Sequence, residues 1–150
     1  MKINNKVLAF VYSDGKFLAL HSNPDKEHGE GGWFVVTGGL ENNESLENAV
    51  KREIKEETGL ESIDVFGLNW GSLYEWHGLC EEMNFIAFVK KGKIRLNEEH
   101  NDYKWLDLEH FVNILKWSLD KKELKSVLKK AVKKELYFDK IKLDDFRKKD

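Results

Sequence analysis

One segment in the N-terminal half constrains this chain more than any other. From Gly38 to Leu60 the residues follow the spacing G-x5-E-x7-R-E-U-x-E-E-x-G-U, where U is an aliphatic residue. At ordinary residue frequencies, a chance match in a chain of this length has a probability on the order of 10⁻⁸. The fixed positions are Gly38, Glu44, Arg52, Glu53, Ile54, Glu56, Glu57, Gly59 and Leu60.

The same segment predicts one helix over residues 45–58. Its apolar residues recur at helical spacing, and Gly59 is placed to end the helix in a left-handed conformation. At about 100° per residue, Glu53 and Glu57 fall inside the apolar stripe, and Glu56 borders it. Lys55 lies on the far side.

Carboxylates on a buried-facing stripe need an explanation. An unpaired carboxylate is costly to bury, so Glu53 and Glu57 indicate either a bound cation or a water-filled cleft. A charged surface helix is the alternative, because like-charge pairs at helical spacing cost only about 0.2 to 0.5 kcal/mol each. Hard oxygen ligands of this kind suit Mg²⁺ or Mn²⁺.

The complete pattern resembles the Nudix box, and on this basis the chain is identified as a member of the Nudix hydrolases. The resemblance implies an enzyme that splits a diphosphate linkage with Mg²⁺, for which Mn²⁺ can substitute. It implies that Glu53, Glu56, Glu57 and the backbone carbonyl of Gly38 bind metal. Glu53 and Glu57 are accordingly expected to be catalytic as well.

Arg52 matches the arginine of the box. Its expected catalytic role is to orient a glutamate through a charge-assisted hydrogen bond, with Glu44 as the expected partner. The implied mechanism is attack of a metal-activated water on one phosphorus atom of the substrate.

A second acidic segment resembles a loop from which many family members supply a further glutamate. Residues 97–108 read NEEHNDYKWLDL, and the pattern Glu-His-x4-Trp falls on Glu99, His100 and Trp105. This spacing favours Glu99 over Glu98 as an extra metal ligand or catalytic base, with two solvated loop glutamates as the alternative. The sequence leaves open whether Glu53 or Glu99 is the general base.

The strand before the box indicates a substrate class. Residues 33–41, WFVVTGGLE, lack the proline found here in many nucleotide-cleaning members and resemble the dihydroneopterin triphosphate and dATP pyrophosphohydrolase branch. The predicted reaction converts a nucleoside triphosphate, or a related triphosphate, to pyrophosphate and a monophosphate. Alternatives are hydrolysis of ADP-ribose, a dinucleoside polyphosphate or a similar nucleoside diphosphate derivative, and a non-catalytic nucleotide sensor.

Aromatic and basic residues supply further candidates for substrate contacts. Trp33, Trp70, Tyr74 and Trp76 are candidate neighbours of a base or pterin ring, with core packing as the alternative for each. Lys26 is a candidate phosphate contact, and a solvated lysine is the alternative.

Composition indicates one globular domain over residues 1–150. The chain is 41% hydrophobic and 35% charged, with no apolar run near the length of a membrane span and no signal peptide. We therefore expect no membrane partner. Cys80 is the only cysteine, which favours a reducing, cytoplasmic setting, and the five histidines show no metal-ligand spacing.

Charge is unevenly distributed along the chain. Residues 116–150 hold 13 Lys or Arg and 7 Asp or Glu, although the whole chain has a net charge of -2. This tail is a candidate nucleic-acid contact, but apolar residues recur through it at helical spacing. We interpret it as a packed helix with a solvated lysine face and therefore expect no nucleic-acid partner. The sequence leaves the oligomeric state open.

The predicted elements define an α/β fold. Strands are predicted over residues 6–12, 16–20, 33–36, 63–76, 83–90 and 103–106, and two further helices over 108–115 and 120–137. This order fits a mixed sheet covered by helices. The family resemblance implies the Nudix α/β/α sandwich.

Overall fold

The computed structural model describes residues 3–24 and 29–135. Within these ranges one sheet contains the strands β1 (Asn4–Ser13), β2 (Lys16–Ser22), β3 (Gly32–Phe34), β4 (Val36–Gly39), β5 (Ser62–Glu75), β6 (Leu79–Val89) and β7 (Asp102–Leu106). The helices are α1 (Leu46–Thr58), α2 (Leu108–Ile114) and α3 (Lys121–Ala131). None of the helices in these ranges has the length and apolar character needed to cross a membrane.

The first two strands form an antiparallel hairpin. Asp14 and Gly15 both have positive φ, 49° and 80°. Two successive residues with positive φ form the tight turn whose twist matches that of paired antiparallel strands. The two strands of the hairpin then supply most of the buried centre of the sheet.

The sheet is mixed, as predicted. Its strand order is β3-β2-β1-β6-β5, with β4 also pairing with β1 and β7 with β2. β1 runs parallel to β6. The pairings of β1 with β4 and of β5 with β6 are antiparallel. β4, which contains the first box residue Gly38, lies beside residues 6–9 of β1.

Alternate side chains of β1 enter two different cores, as a strand buried on both faces requires. Leu8 and Phe10 belong to a core that includes residues of α2 and α3. Val7 and Ala9 belong to a second core that includes residues of α1. Helices thus cover both faces of the sheet, and the predicted α/β/α architecture is confirmed.

Local signals set both ends of α1. The side chain of Ser45 caps the first turn by accepting a hydrogen bond from the backbone N–H of Asn48 at 3.1 Å. Gly59 has φ of 79°, and its N–H donates to the carbonyl of Lys55 at 2.9 Å. The predicted bounds of the helix are confirmed.

The strand predicted over residues 33–36 is wrong in detail. The segment divides at Val35 into β3, which pairs with β2, and β4, which pairs with β1. The chain changes partner strand at this point, and a change of partner leaves no local pattern.

The helix predicted over residues 120–137 also needs correction. In the described part of the chain it begins at Lys121 and ends at Ala131, and residues after 135 lie outside the description. Leu124 and Leu128 are fully buried, so the expected packing of its apolar face is confirmed.

Candidate active site

Helix α1 directs two glutamates towards the sheet. Glu53 is 9% exposed and Glu57 is 1% exposed, although both carry an ionisable group. Lys55 is exposed, as its position on the far side of the helix predicts. The helical periodicity therefore identified the correct face, and it places two carboxylates between the helix and the sheet.

Arg52 organises the acidic residues near the start of the box. Its Nε and Nη2 donate to the two carboxylate oxygens of Glu44 at 2.8 and 2.9 Å. Its Nη2 also donates to the carbonyl of Gly39 at 2.8 Å, and its Nη1 donates to Oε1 of Glu53 at 2.7 Å. The predicted pairing with Glu44 is confirmed, and the same guanidinium fixes Glu53.

These bonds affect the charge state of Glu44. Hydrogen bonds from Arg52 and from the backbone N–H of Glu41 lower the pKa of Glu44 to about 2. Glu44 is therefore ionised at neutral pH, and it balances the charge of Arg52 while Nη1 remains directed at Glu53.

Gly38 lies directly against Glu53. A Cβ atom at residue 38 would overlap the Glu53 carboxylate group. Glycine is required here because of this close approach and not because of an unusual φ. The absence of a side chain thus lets β4 and α1 bring a backbone segment and a carboxylate together.

The loop before β7 completes the acidic site. One ligand atom from each of Glu57, Glu99 and His100 lies within 4.8 Å of the other two. Nδ1 of His100 lies 3.7 Å from Oε1 of Glu57, and both side chains are almost fully buried. The carbonyl of Glu99 accepts a hydrogen bond from Oγ of Ser22 at 3.0 Å, which ties this loop to β2.

The environment of Glu57 indicates a cation site. Burial, contact with Glu53 and the negative charges of Glu99 and Glu56 raise the pKa of Glu57 to about 11 from an ordinary value of 4.5. Its Oε2 is buried without a hydrogen-bond partner among the described residues. A divalent cation would neutralise this cluster and satisfy the oxygen, so the donor set fits one.

A cavity of ≈ 500 Å³ opens beside these carboxylates. Glu53, Glu99 and Gly38 line it, and so do Lys6 and Glu82. Polar groups of both signs therefore face the same space, which is large enough for a nucleotide-sized ligand.

Most of the predicted site residues lie close together, and Glu56 is the exception. The structure brings together Gly38, Glu53, Glu57 and Glu99, and it holds Arg52 beside them. Glu56 differs because its side chain is 52% exposed and accepts a bond from Arg52 at 3.3 Å. The negative charge of Glu56 nevertheless contributes to the raised pKa of Glu57.

The aromatic candidates divide into two groups. Tyr74 and Trp76 line the cavity, whereas Trp33 and Trp70 pack against the core on the side of α2 and α3. Lys26, the candidate phosphate contact, lies outside the described residues.

Three residues at the site were not predicted from the sequence. His100 was set aside because no local histidine spacing indicated a metal site, but the fold places it beside Glu57. Lys6 and Glu82 were not singled out: Lys6 follows two asparagines at the start of β1, and Glu82 follows Glu81 and precedes the strand predicted over residues 83–90. No local pattern therefore set them apart from the other polar residues of these strands.

Comparison with known proteins identifies the family of this chain. Residues 2–128 match the model described as the NUDIX domain. The chain belongs to the NUDIX domain family. A curated relative of this Nudix chain is nucleoside triphosphatase NudI of Escherichia coli O139:H28, 27% identical over 124 residues, which cover 75% of this chain and 88% of the relative.

Solved structures support the same Nudix fold. The NUDIX domain of Shewanella oneidensis NrtR, complexed with ADP ribose, has a TM-score of 0.69 at 17% identity, covering 88% of this chain and 90% of that one. The E. coli dihydroneopterin triphosphate pyrophosphohydrolase has a TM-score of 0.60 at 22% identity, covering 75% and 86%.

Proposed function

We propose that this Nudix protein hydrolyses a nucleoside triphosphate or a closely related triphosphate to pyrophosphate and a monophosphate. The observation that carries the proposal is the cluster of Glu57, Glu99 and His100 beside an open cavity, with Glu57 and His100 buried and Glu99 partly exposed. The complete box and a relative named as a nucleoside triphosphatase support the same reaction class.

We assign the metal as Mg²⁺, with Mn²⁺ as a substitute, because carboxylate oxygens dominate the donor set. Glu53, Glu57 and Glu99 would hold it, with Glu56 and the carbonyl of Gly38 as further ligands. When bound, the cation neutralises phosphate charge and makes water a better nucleophile.

The residues of the chain then have distinct duties. Arg52 holds Glu53 in place through its 2.7 Å bond. We assign proton acceptance from the attacking water to Glu99, because Glu53 is already engaged by Arg52. The water oxygen forms a bond to one phosphorus, the bridging P–O bond breaks, and pyrophosphate leaves with that bridging oxygen.

We further propose that residues 1–150 act as one hydrolase domain with a nucleotide or related phosphorylated substrate as partner. Cys80 is a buried free thiol. A reducing compartment suits such a residue, so we propose the cytoplasm as the location.

Product identification tests the reaction. The protein should be incubated with Mg²⁺ and separate samples of nucleoside triphosphates, a pterin triphosphate, ADP-ribose and a dinucleoside polyphosphate, and the phosphorus products resolved by NMR. The proposal predicts pyrophosphate and a monophosphate from at least one triphosphate. Two monophosphates from ADP-ribose, with triphosphates intact, would assign the alternative diphosphate-linked substrates, and binding without turnover would assign a sensor.

A further inference from the structure

Lys6 and Glu82 form a pair of opposite charges on adjacent strands. They are direct partners in the parallel register of β1 and β6, and both side chains line the cavity that also contains Glu53. The hydroxyl of Tyr74 donates to Oε2 of Glu82 at 3.0 Å. Glu82 is thus held by a neighbouring strand while it faces the cavity.

The balance of charges separates Glu82 from the metal cluster. Burial raises the pKa of Glu82, while the bond from Tyr74 and the positive charge of Lys6 oppose that rise. A carboxylate beside a lysine is a poor ligand for a metal cation, because the lysine ammonium repels the cation. Glu82 therefore suits hydrogen-bond acceptance from a neutral ligand better than metal binding.

The aromatic residues of the lining indicate a flat ligand. Trp76 is 38% exposed and Phe34 is partly buried, and both line the cavity, so they offer ring faces for stacking.

We propose that Lys6 and Glu82 recognise the 2-amino-4-oxopyrimidine edge that guanine and pterins share. Lys6 donates to the ring carbonyl oxygen, and Glu82 accepts from the adjacent ring N–H and amino group. The proposal rests on the proposed function, because it places the base of the triphosphate in the cavity that Glu53 also lines.

Hydrogen-bond complementarity excludes the other common bases. Adenine presents an amino donor where Lys6 needs an acceptor, and a ring-nitrogen acceptor where Glu82 needs a donor. Cytosine presents the same two groups at these positions. Uracil offers a carbonyl and one N–H, but its second carbonyl would face the carboxylate of Glu82. Hypoxanthine keeps the carbonyl and the ring N–H and lacks only the amino group, so it isolates one bond.

Substrate competition tests the subsite. kcat/KM should be measured for GTP, ITP, ATP and UTP and for a pterin triphosphate, in the wild type and in Glu82→Gln. We expect the wild type to favour GTP or the pterin triphosphate over ATP by about tenfold or more, the scale of one well-placed bidentate base contact. Comparison of GTP with the pterin triphosphate shows which ring system is preferred. Glu82→Gln should remove most of the GTP preference over ITP.

The matched control is Glu81→Gln. Glu81 is exposed and adjacent to Glu82, on the opposite face of β6, so this variant should keep the wild-type ratios. Tyr74→Phe removes the hydroxyl that holds Glu82 and should lower the GTP-to-ATP ratio even if Glu82→Gln fails to fold. Equal rates on all bases in the wild type, or unchanged ratios in both Glu82→Gln and Tyr74→Phe, would overturn the proposal.

Binding of monophosphates separates this proposal from the proposed function. Quenching of tryptophan fluorescence should report GMP binding about tenfold tighter than AMP in the wild type, with the difference lost in Glu82→Gln. A GMP preference without hydrolysis of any triphosphate would reject the reaction and retain the subsite. Triphosphate hydrolysis without a GMP preference would reject the subsite and retain the reaction.

Discussion

Arg52 donates hydrogen bonds from Nε and Nη2 to the two carboxylate oxygens of Glu44, at 2.8 and 2.9 Å, and from Nη1 to Oε1 of Glu53. A guanidinium held on one side by a carboxylate has a fixed plane, and its remaining donors point in fixed directions. The pair thus sets the position of a third residue, Glu53, at the edge of the cavity.

Substitution of Arg52 tests this positioning role. Arg52→Gln removes the guanidinium group that bonds both Glu44 and Glu53. Because Glu53 is then no longer held in place, kcat should fall about tenfold or more. Lys51→Gln is the matched control, since Lys51 is an exposed neighbour on the same helix, and its kcat should stay within about twofold of wild type. Equal kcat values in the two variants would remove the positioning role from Arg52.

Glu57 tests the face of α1 that the periodicity identified. Glu57→Gln keeps the shape of the side chain but removes the carboxyl group that could ionise to bind a cation, so turnover should fall by about 10² or more with the fold intact. The variant should also lose part of the rise in Tm that Mg²⁺ gives the wild type. Lys55→Gln, on the exposed face, should change neither measurement, and similar losses in both variants would contradict the assignment.

Gly38 tests the close approach of β4 to the helix. Gly38→Ala places a methyl group against the Glu53 carboxylate, so Glu53 must move and kcat should fall at least about tenfold. Gly67→Ala is the control, because a Cβ there meets only the Phe85 ring at 3.5 Å. Wild-type kcat in Gly38→Ala would show that the position of Glu53 does not matter for turnover.

Glu98 and Glu99 are neighbours with different surroundings. Glu99 reaches the cluster with Glu57 and His100, whereas Glu98 is exposed. Glu99→Gln should lower kcat by about 10² or more, the usual contribution of a positioned base, and Glu98→Gln should change it less than about threefold. A loss confined to Glu98→Gln would assign the role to that residue, and kcat unaffected by either substitution would move the base to Glu53.

The parts of the site that the sequence predicted are those encoded locally. Ser45 and Gly59 bound α1 through contacts with residues in the same helix, and the helical repeat alone gave the direction of Glu53 and Glu57. The pairing of Arg52 with Glu44 was accessible because both belong to one motif.

The unpredicted parts arise from contacts between distant segments. His100 reaches Glu57 only after the loop before β7 is tied to β2. Lys6 meets Glu82 because β1 and β6 run in parallel with one particular register, which neither strand specifies alone. The division of residues 32–39 into β3 and β4 depends in the same way on which strand each half contacts.

The metal dependence of pyrophosphate release tests the central claim most directly. Wild-type protein should be assayed on its preferred triphosphate after treatment with EDTA and again after addition of excess Mg²⁺. Because the carboxylates around Glu57 need a cation before a polyanionic substrate can approach, we predict no pyrophosphate release in EDTA and full release after Mg²⁺ is restored. Undiminished release in EDTA would contradict the account.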